Sequence, residues 1–318
     1  MRTPDAACGV LAVGDVLVDN ICRVNRLPSP GNDEAITSYI SVSGGSAANT
    51  CAVLARLGVS CSFCGTLGSD ENGRALLSCF KRLGIGTSAL RIIPGNTGFT
   101  FTMLQPGGER TMLSYRDSSS SARTVDESLA DCVRNSSLVL ISGYMLQLKE
   151  QADFVISLAE KARENGIPVL LDTSPVIGSI DRTVLERMLS VTDILMPNLS
   201  ELMTVFPSGS IDGSLSLAVN KVPAVVLKQG ENGARLFVSE DCSLPKLRGL
   251  AGADIKSPAE NREVLDTTGA GDSFNAGFIA SFLSSDNPSD WLRSGNHTAS
   301  LVISGRLCRT LNEKDTLI

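Results

Sequence analysis

The residues Asp266–Phe278 read DTTGAGDSFNAGF, a polar, turn-prone run that passes directly into an apolar, helix-like segment. Three small residues, Gly269, Ala270 and Gly271, stand where that helix begins, and an acid, Asp272, follows them. A helix opening there leaves its first backbone N–H groups without intrahelical partners and points the positive end of its dipole outward. With no bulky side chain in the way, a phosphate can come close to that backbone. A carboxylate in the same place repels an anion, so Asp272 needs a reason of its own. A general base, taking the proton of a hydroxyl as its oxygen attacks phosphorus, is such a reason. The plainer alternative is an acid that only complements the helix dipole.

A second junction of this kind is GGSAANTCAVLARLG, Gly44–Gly58. Gly44 and Gly45 allow close backbone approach, and Asn49 offers a donor and an acceptor from the first turns of the following helix. Taken singly, an ordinary strand-to-helix turn explains it.

The elements that must position these residues follow from hydrophobic periodicity. Gly9–Val18 is apolar and β-branched enough for a buried strand, and Ile21–Arg26 and Ala35–Val42 read as two strands around the turn LPSPGND. Ser46–Leu57 has a helical period that Gly58 stops; Ser60–Leu67 reads as a strand and Asn72–Leu83 as a helix. Gly98–Gln105 and Arg110–Tyr115 flank the turn PGGE as a hairpin. From Leu138–Ser142 onward, short apolar strands (Pro168–Asp172, Asp193–Met196, Ala224–Lys228, Ala234–Val238) alternate with helices, and Gly271–Leu283 and Trp291–Ile303 close the chain as helices. Such alternation predicts an α/β fold with a mostly parallel sheet covered on both faces. The strand pairs near 20–42 and 97–116 fall outside the alternation and predict a small antiparallel sheet built from two separate insertions. With no internal repeat or linker, residues 1–318 read as a single domain. In an open parallel sheet, ligands bind beyond the carboxyl ends of the strands, which singles out Asp15, Asp19, Gly44–Asn49, Asp172, Asn198, Gly230 and the 266–272 run.

Bulk properties narrow the function. The chain has 318 residues, 42% hydrophobic, and a formal net charge of −6 with the charges scattered, so no basic patch invites nucleic acid or an anionic membrane. No apolar run approaches a membrane span and no signal peptide is visible, which predicts a cytoplasmic protein. Of nine cysteines, Cys61 and Cys64 form a CxxC, but SCSFCG reads as a strand interior, and a single histidine, His297, leaves neither a zinc set nor a Ser-His-Asp triad in view.

The two glycine-flanked junctions together are far more specific than either alone. In order along the chain stand GDVLVDNI, PSPG, GGSAAN, ARLG, LGSDENG, PNLSEL, LKQGENG and DTTGAGDSFNAGF, a pattern that resembles the PfkB, or ribokinase-like, family of carbohydrate and nucleoside kinases across nearly the whole chain. No GxxxxGK[ST], HRD or DFG occurs, which sets it apart from P-loop and protein kinases. The resemblance implies a three-layer α/β/α sandwich, with the small β sheet as a lid that often pairs with its copy in a homodimer.

By the same resemblance Asp272 is the base, and the amides of Gly269, Ala270 and Gly271 hold charge on the transferring phosphoryl group. Asp19 and, less directly, Asp15 meet sugar hydroxyls, together with Gly44, Gly45, Asn49, Met112 and Tyr144. Asn198 and Glu201 organise Mg2+ and its waters near ATP, a suitable task for hard oxygen ligands. Gly230 and Gly233 belong to the nucleotide-side loop. Lys228 stands where many relatives have Thr, which leaves phosphate contact or a solvent-facing role open. Asn296 falls where relatives line the adenine site, and His297 beside it reads as a packing or surface residue. Asp266 matches a position that helps hold a monovalent cation in some relatives; a companion small-residue position falls on Cys308, which leaves K+ an open expectation. Ser46 replaces the Lys usual in true ribokinases, and Tyr144 stands where they place a Glu. The lid turn carries Asp33 and Glu34, and Arg110 and Arg116 are the basic residues near the second lid segment, so a sugar phosphate is not indicated. An unphosphorylated sugar is the first expectation and a nucleoside the second, with a non-catalytic binding relative as the other class.

Overall fold

The computed structural model describes residues 8–312 apart from 108, 117, 119, 120 and 122, so Gly108 of the PGGE turn lies outside the described residues. The chain opens with four strands: β1 (Cys8–Val13), β2 (Leu17–Val24), β3 (Ile36–Gly44) and, after helix α1 (Ser46–Arg56), β4 (Cys61–Gly68). Helix α2 (Glu71–Arg82), β5 (Leu90–Ile93), β6 (Phe99–Leu104) and β7 (Arg110–Tyr115) follow, then α3 (Glu127–Arg134), β8 (Ser136–Ser142), α4 (Lys149–Glu164), β9 (Val169–Asp172), α5 (Arg182–Ser190) and β10 (Ile194–Met196). The chain ends with α6 (Leu199–Val205), α7 (Ile211–Val219), β11 (Ala224–Lys228), β12 (Ala234–Val238), β13 (Asp254–Ser257), α8 (Ala270–Ser284) and α9 (Pro288–Ile303).

Among the described residues the strands form two sheets. The large one runs β13-β12-β11-β10-β9-β8-β1-β4-β5, with every pairing parallel except those that β12 makes with β11 and β13 at one edge. Its central strands β8 to β11 are mostly apolar and buried, because helices cover both faces. On one face Phe63, Leu140 and Val226 pack with Trp291 and Phe278 under α1, α2, α8 and α9; on the other, Leu11, Ile141 and Leu171 pack with residues of α3 to α7. The result is the expected three-layer sandwich. The small sheet runs β3-β2-β6-β7. Each insertion is an antiparallel pair, as expected, but the seam between them, β2 with β6, is parallel.

The strand expected over Gly9–Val18 divides at Gly14. A Cβ on Gly14 would lie 2.7 Å from Ala47 Cβ and 3.1 Å from Ser142 Cβ, so β1 ends packed against α1 and the end of β8. The chain then leaves the large sheet, and β2 belongs to the small one, with Asp15 at the junction. Four elements escaped the periodicity: β5, α3, α7 and the edge strand β13. They are short or peripheral, with a narrow apolar face and little pattern to read. Cys61 and Cys64 lie in β4, buried and in no disulfide, and burial pushes the Cys64 thiol up to about 11, away from the thiolate form that thiol chemistry needs. No helix among the described residues is long and apolar enough to cross a membrane.

Candidate active site

The ends of β1, β8, β9, β10 and β11 open onto a cleft of about 440 Å³, closed from the other side by the small sheet and by the first turns of α1 and α8. Of the residues singled out from sequence, Asp15, Asp19, Gly45, Asn49, Met112, Tyr144, Asn198, Glu201, Lys228, Gly230, Gly271 and Asp272 line this one cleft. They come from positions 257 residues apart (15 to 272), and only the sheet topology unites them.

Asp272, in the first turn of α8, has both carboxylate oxygens engaged by α1: Oδ1 is 2.7 Å from Ser46 Oγ and Oδ2 accepts from Asn49 Nδ2 at 2.9 Å. Burial, and then repulsion from Asp172, push its pKa up to about 6. The preceding Gly269 has φ +73, the left-handed conformation that turns the loop into the helix. Of the three amides expected to meet phosphate, that of Ala270 donates instead to Thr267 O at 3.2 Å. This corrects the expected trio: a 3₁₀-like closure of the loop consumes the middle donor. The amides of Gly269, Gly271 and Asp272 have no partner among the described residues.

The glycine pair acts through space it leaves free. A Cβ on Gly44 would fall 2.2 Å from Asp19 Oδ2, and one on Gly45, at φ +104, would fall 2.2 Å from the Asp15 carbonyl. Asp19 accepts a short hydrogen bond from Thr100 Oγ1 of β6, and burial holds its pKa above the usual carboxylate range against that bond. Asp15 is 5% exposed and pairs with Arg116, just after β7; burial raises its pKa, opposed by the guanidinium. Arg116 also lies over the ring of Tyr144, 5.1 Å from its centroid. Arg116 is thus a cleft residue rather than surface charge. Asn49 Oδ1, Ser142 Oγ and Ser174 Oγ are buried without a hydrogen-bond partner among the described residues. Buried polar atoms are rarely left so, and all three belong to residues that line the cleft.

On the opposite flank, Asn198 caps α6 and forms a capping box with Glu201, whose Oε2 accepts from Asn198 N at 2.9 Å and from Thr173 Oγ1 at 2.5 Å. Both bonds fall on Oε2, which leaves Oε1 for a ligand. Lys228 does not face solvent: Nζ donates to Asp172 Oδ1 at 2.6 Å and to Asn275 Oδ1 at 3.3 Å. It lies 3.7 Å from the place a Cβ on Gly271 would occupy, beside the open amides.

The sequence profile described as pfkB family carbohydrate kinase matches residues 9–315. The chain belongs to the PfkB family. Arabidopsis thaliana ribokinase is 27% identical over 307 residues, spanning 92% of this chain and 76% of the relative. A nucleoside kinase of Methanothermobacter thermautotrophicus is also 27% identical, over 92% of this chain and 89% of the relative. The solved structure of Arabidopsis thaliana ribokinase complexed with ribose and ATP aligns with a TM-score of 0.81 at 25% identity, covering 97% of this chain and 96% of that one. The protein is therefore an ATP-dependent kinase of the sugar and nucleoside kinase class.

Gly44, Gly233, Asp266, Gly269, Ala270 and Asn296, all expected at the site of this PfkB kinase, fall outside the cleft lining. Asn296 on α9 spends its Nδ2 on Ser257 O, Ser257 Oγ and Pro258 O, at 2.9 to 3.3 Å. Gly233, at φ +83, meets the same segment: a Cβ there would lie 2.1 Å from Ser257 O. Both fix the loop after β13. His297 is half exposed and bonded to Glu260 at 2.8 Å, a surface residue as expected.

Asp266 does not fit a monovalent cation. It accepts from Thr268 N and Oγ1, and two guanidiniums face it, Arg110 of β7 at 3.5 Å and Arg309 at 3.6 Å. Arg309 is 11% exposed and packs on Gly269, where a Cβ would strike its Cδ at 2.2 Å. Positive charge already surrounds this carboxylate, and a metal ion there would be repelled.

Ser46, Asp172, Thr100 and Arg116 complete the site without having been given roles from sequence. Asp172 carried a signal, its place directly after a parallel strand; Thr100 carried none, because its neighbour in space is 81 positions away.

Proposed function

We propose that the protein phosphorylates one hydroxyl of a small, unphosphorylated sugar with ATP. The observation that carries this reading is the convergence of the Asp272 carboxylate with the open amides of Gly271 and Asp272, both residues lining the cleft. The sugar lies between Asp19, Asn49, Asp15 and Tyr144, under Met112 and the lid. Asp272 takes the proton of the acceptor hydroxyl as its oxygen bonds to the γ-phosphorus, and the bond from phosphorus to the leaving ADP oxygen breaks. The amides hold the charge that spreads over the transferring oxygens.

Asn198 and Glu201 present hard oxygens with Glu201 Oε1 still open, a donor set that fits Mg2+ held through water. When bound, the metal neutralises charge on the nucleotide phosphates. Lys228 and Gly230 line the nucleotide side. A sugar is favoured over a nucleoside because Tyr144 is the aromatic ring in the cleft lining and Arg116 already covers its face. The outer face of the small sheet exposes Ile36, Tyr39, Phe101 and Leu113, an apolar surface suited to a second copy of the lid.

An ATP-consumption screen with magnesium across pentoses, hexoses, sugar acids and nucleosides tests the reading. Turnover with a free sugar is the expected result; turnover with nucleosides alone, or with none of the set, overturns it.

A further inference from the structure

Ser46 stands between two carboxylates. Its Oγ is 2.7 Å from Asp272 Oδ1 and 3.0 Å from Asp172 Oδ2. A hydroxyl has one proton to give, so it donates to one of them at a time, and the other contact needs either a bare oxygen pair or a proton returned by the carboxyl. Two carboxyl groups that share one hydroxyl in an enclosed cleft repel when both are ionised, and the strain is relieved by a proton held between them. Beyond Asp172 stands a cation: Lys228 Nζ, 2.6 Å from Asp172 Oδ1. The row Lys228–Asp172–Ser46–Asp272 thus crosses from β11 through β9 and α1 to α8.

The row is built into the fold. Asp172 is 5% exposed at the end of a central strand, in register with Ser142 on one side and Met196 on the other. Ser46 opens α1 immediately after Gly45, whose φ of +104 sets its direction. The charged and titratable groups that act on Asp272 are Asp172 from β9, Lys228 from β11 and Tyr144 from the turn after β8; α1 supplies the neutral donors Ser46 and Asn49. Asp172 is the one that favours the protonated acid most, and Lys228 opposes it.

We propose that Asp172 is a positioning residue for phosphoryl transfer: through Ser46 it orients the Asp272 carboxylate and strengthens it as a base, while Lys228 moderates the effect. This rests on Asp272 being the base, as proposed above. Asp172 touches neither reacting oxygen; its contribution is the negative charge and the hydroxyl bridge behind the base. In a chain with lysine in place of Ser46, the same position would carry a cation and weaken the base.

The test reads Asp272 directly. Carboxyl-carbon NMR of the ligand-free protein, labelled at aspartate, follows the titration midpoint of Asp272, with pH profiles of kcat beside it. Asp172→Asn lowers that midpoint by about one pH unit. Lys228→Met raises it. The double variant, which leaves neither buried charge unpaired and guards against misfolding of either single one, lies below the wild-type protein. The acid limb of kcat follows each displacement. An unmoved midpoint in Asp172→Asn, or displacement of both single variants in one direction, overturns the proposal. Midpoints that move as stated while the acid limb stays fixed confirm the coupling and overturn Asp272 as the base.

Discussion

Asn49 Nδ2 on α1 donates to Asp272 Oδ2 on α8 across 2.9 Å. The two glycine-flanked helix starts, 223 residues apart, are thereby tied at the residue proposed to do the chemistry. Asn49→Ala removes a donor that both orients the carboxylate and lowers its proton affinity. The expected outcome is a loss in kcat of about tenfold near neutral pH, a higher sugar KM, and an acid limb moved to higher pH. Steady-state kinetics at several pH values checks all three.

Asp272 links activity and stability with opposite signs. Its carboxyl is pushed up to about 6 by burial and by Asp172. The base works only ionised, so kcat falls roughly tenfold for each pH unit below that midpoint. Stability runs the other way. A carboxyl that binds its proton more tightly when folded stabilises the fold at low pH, and that contribution is lost as pH rises from the ordinary 3.8 through about 6. Asp272→Asn is therefore expected to lose about a thousandfold in turnover yet to melt higher at neutral pH, by on the order of 2 kcal/mol. The gain vanishes at pH values below the ordinary carboxylate range. Calorimetry across pH decides it.

Gly45 carries both kinds of constraint. At φ +104 a side chain is strained, and its Cβ would sit 2.2 Å from the Asp15 carbonyl, a backbone atom that cannot swing aside. Gly45→Ala is expected to destabilise by about 3 kcal/mol. Gly31, at φ +85 with nothing within 4 Å, is the control: Gly31→Ala costs only the backbone term, about 1 kcal/mol. Urea unfolding of the two variants should separate them clearly.

Arg116 neutralises a carboxylate that is almost wholly enclosed. Arg116→Met strands Asp15 and uncovers the Tyr144 ring. Breaking a buried pair on one side costs about 3 kcal/mol, and sugar KM is expected to rise at least several-fold. Because Asp15 then takes up a proton, the loss is greatest at alkaline pH. Thermal melts at two pH values, with KM measured alongside, test this.

Potassium provides a simple comparison. With Arg110 and Arg309 already facing Asp266, replacing potassium chloride by choline chloride at equal ionic strength is expected to leave initial rates unchanged within about twofold. A rate that collapses without potassium would show that a metal ion competes successfully with the two guanidiniums.

Much of this arrangement could be read before the fold was seen, for identifiable reasons. The alternation of strands and helices is written in apolar runs such as Leu138–Ser142 and Ala224–Lys228, which must be buried on both faces. Gly44, Gly45, Asn49 and Asp272 drew notice because two glycine-flanked helix starts stand in one chain, a pairing far more specific than either junction alone. The division of the first strand at Gly14 was invisible, since Val16 and Val18 continue the apolar pattern into a different sheet. Arg116 and Thr100 were equally hidden: an arginine after a hairpin and a threonine within it gain meaning only from Asp15 and Asp19, which lie across the fold. The Ala270 amide misled because a run of small residues says that a ligand can approach, not which N–H groups remain free.

The parallel seam between β2 and β6 has a consequence for assembly. Asn20 Nδ2 meets Thr100 O, 80 positions away in the chain, and residues paired along the seam, such as Val18 with Phe99, stand 81 positions apart throughout. Neither hairpin possesses the neighbour it needs until the large sheet has carried both stalks to the same edge, so closing this contact is costly before then and favourable afterwards. The covering over the cleft is accordingly among the last parts to form and the first to open, and exchange of its seam amides with deuterium should outpace exchange in β1, β8 and β9.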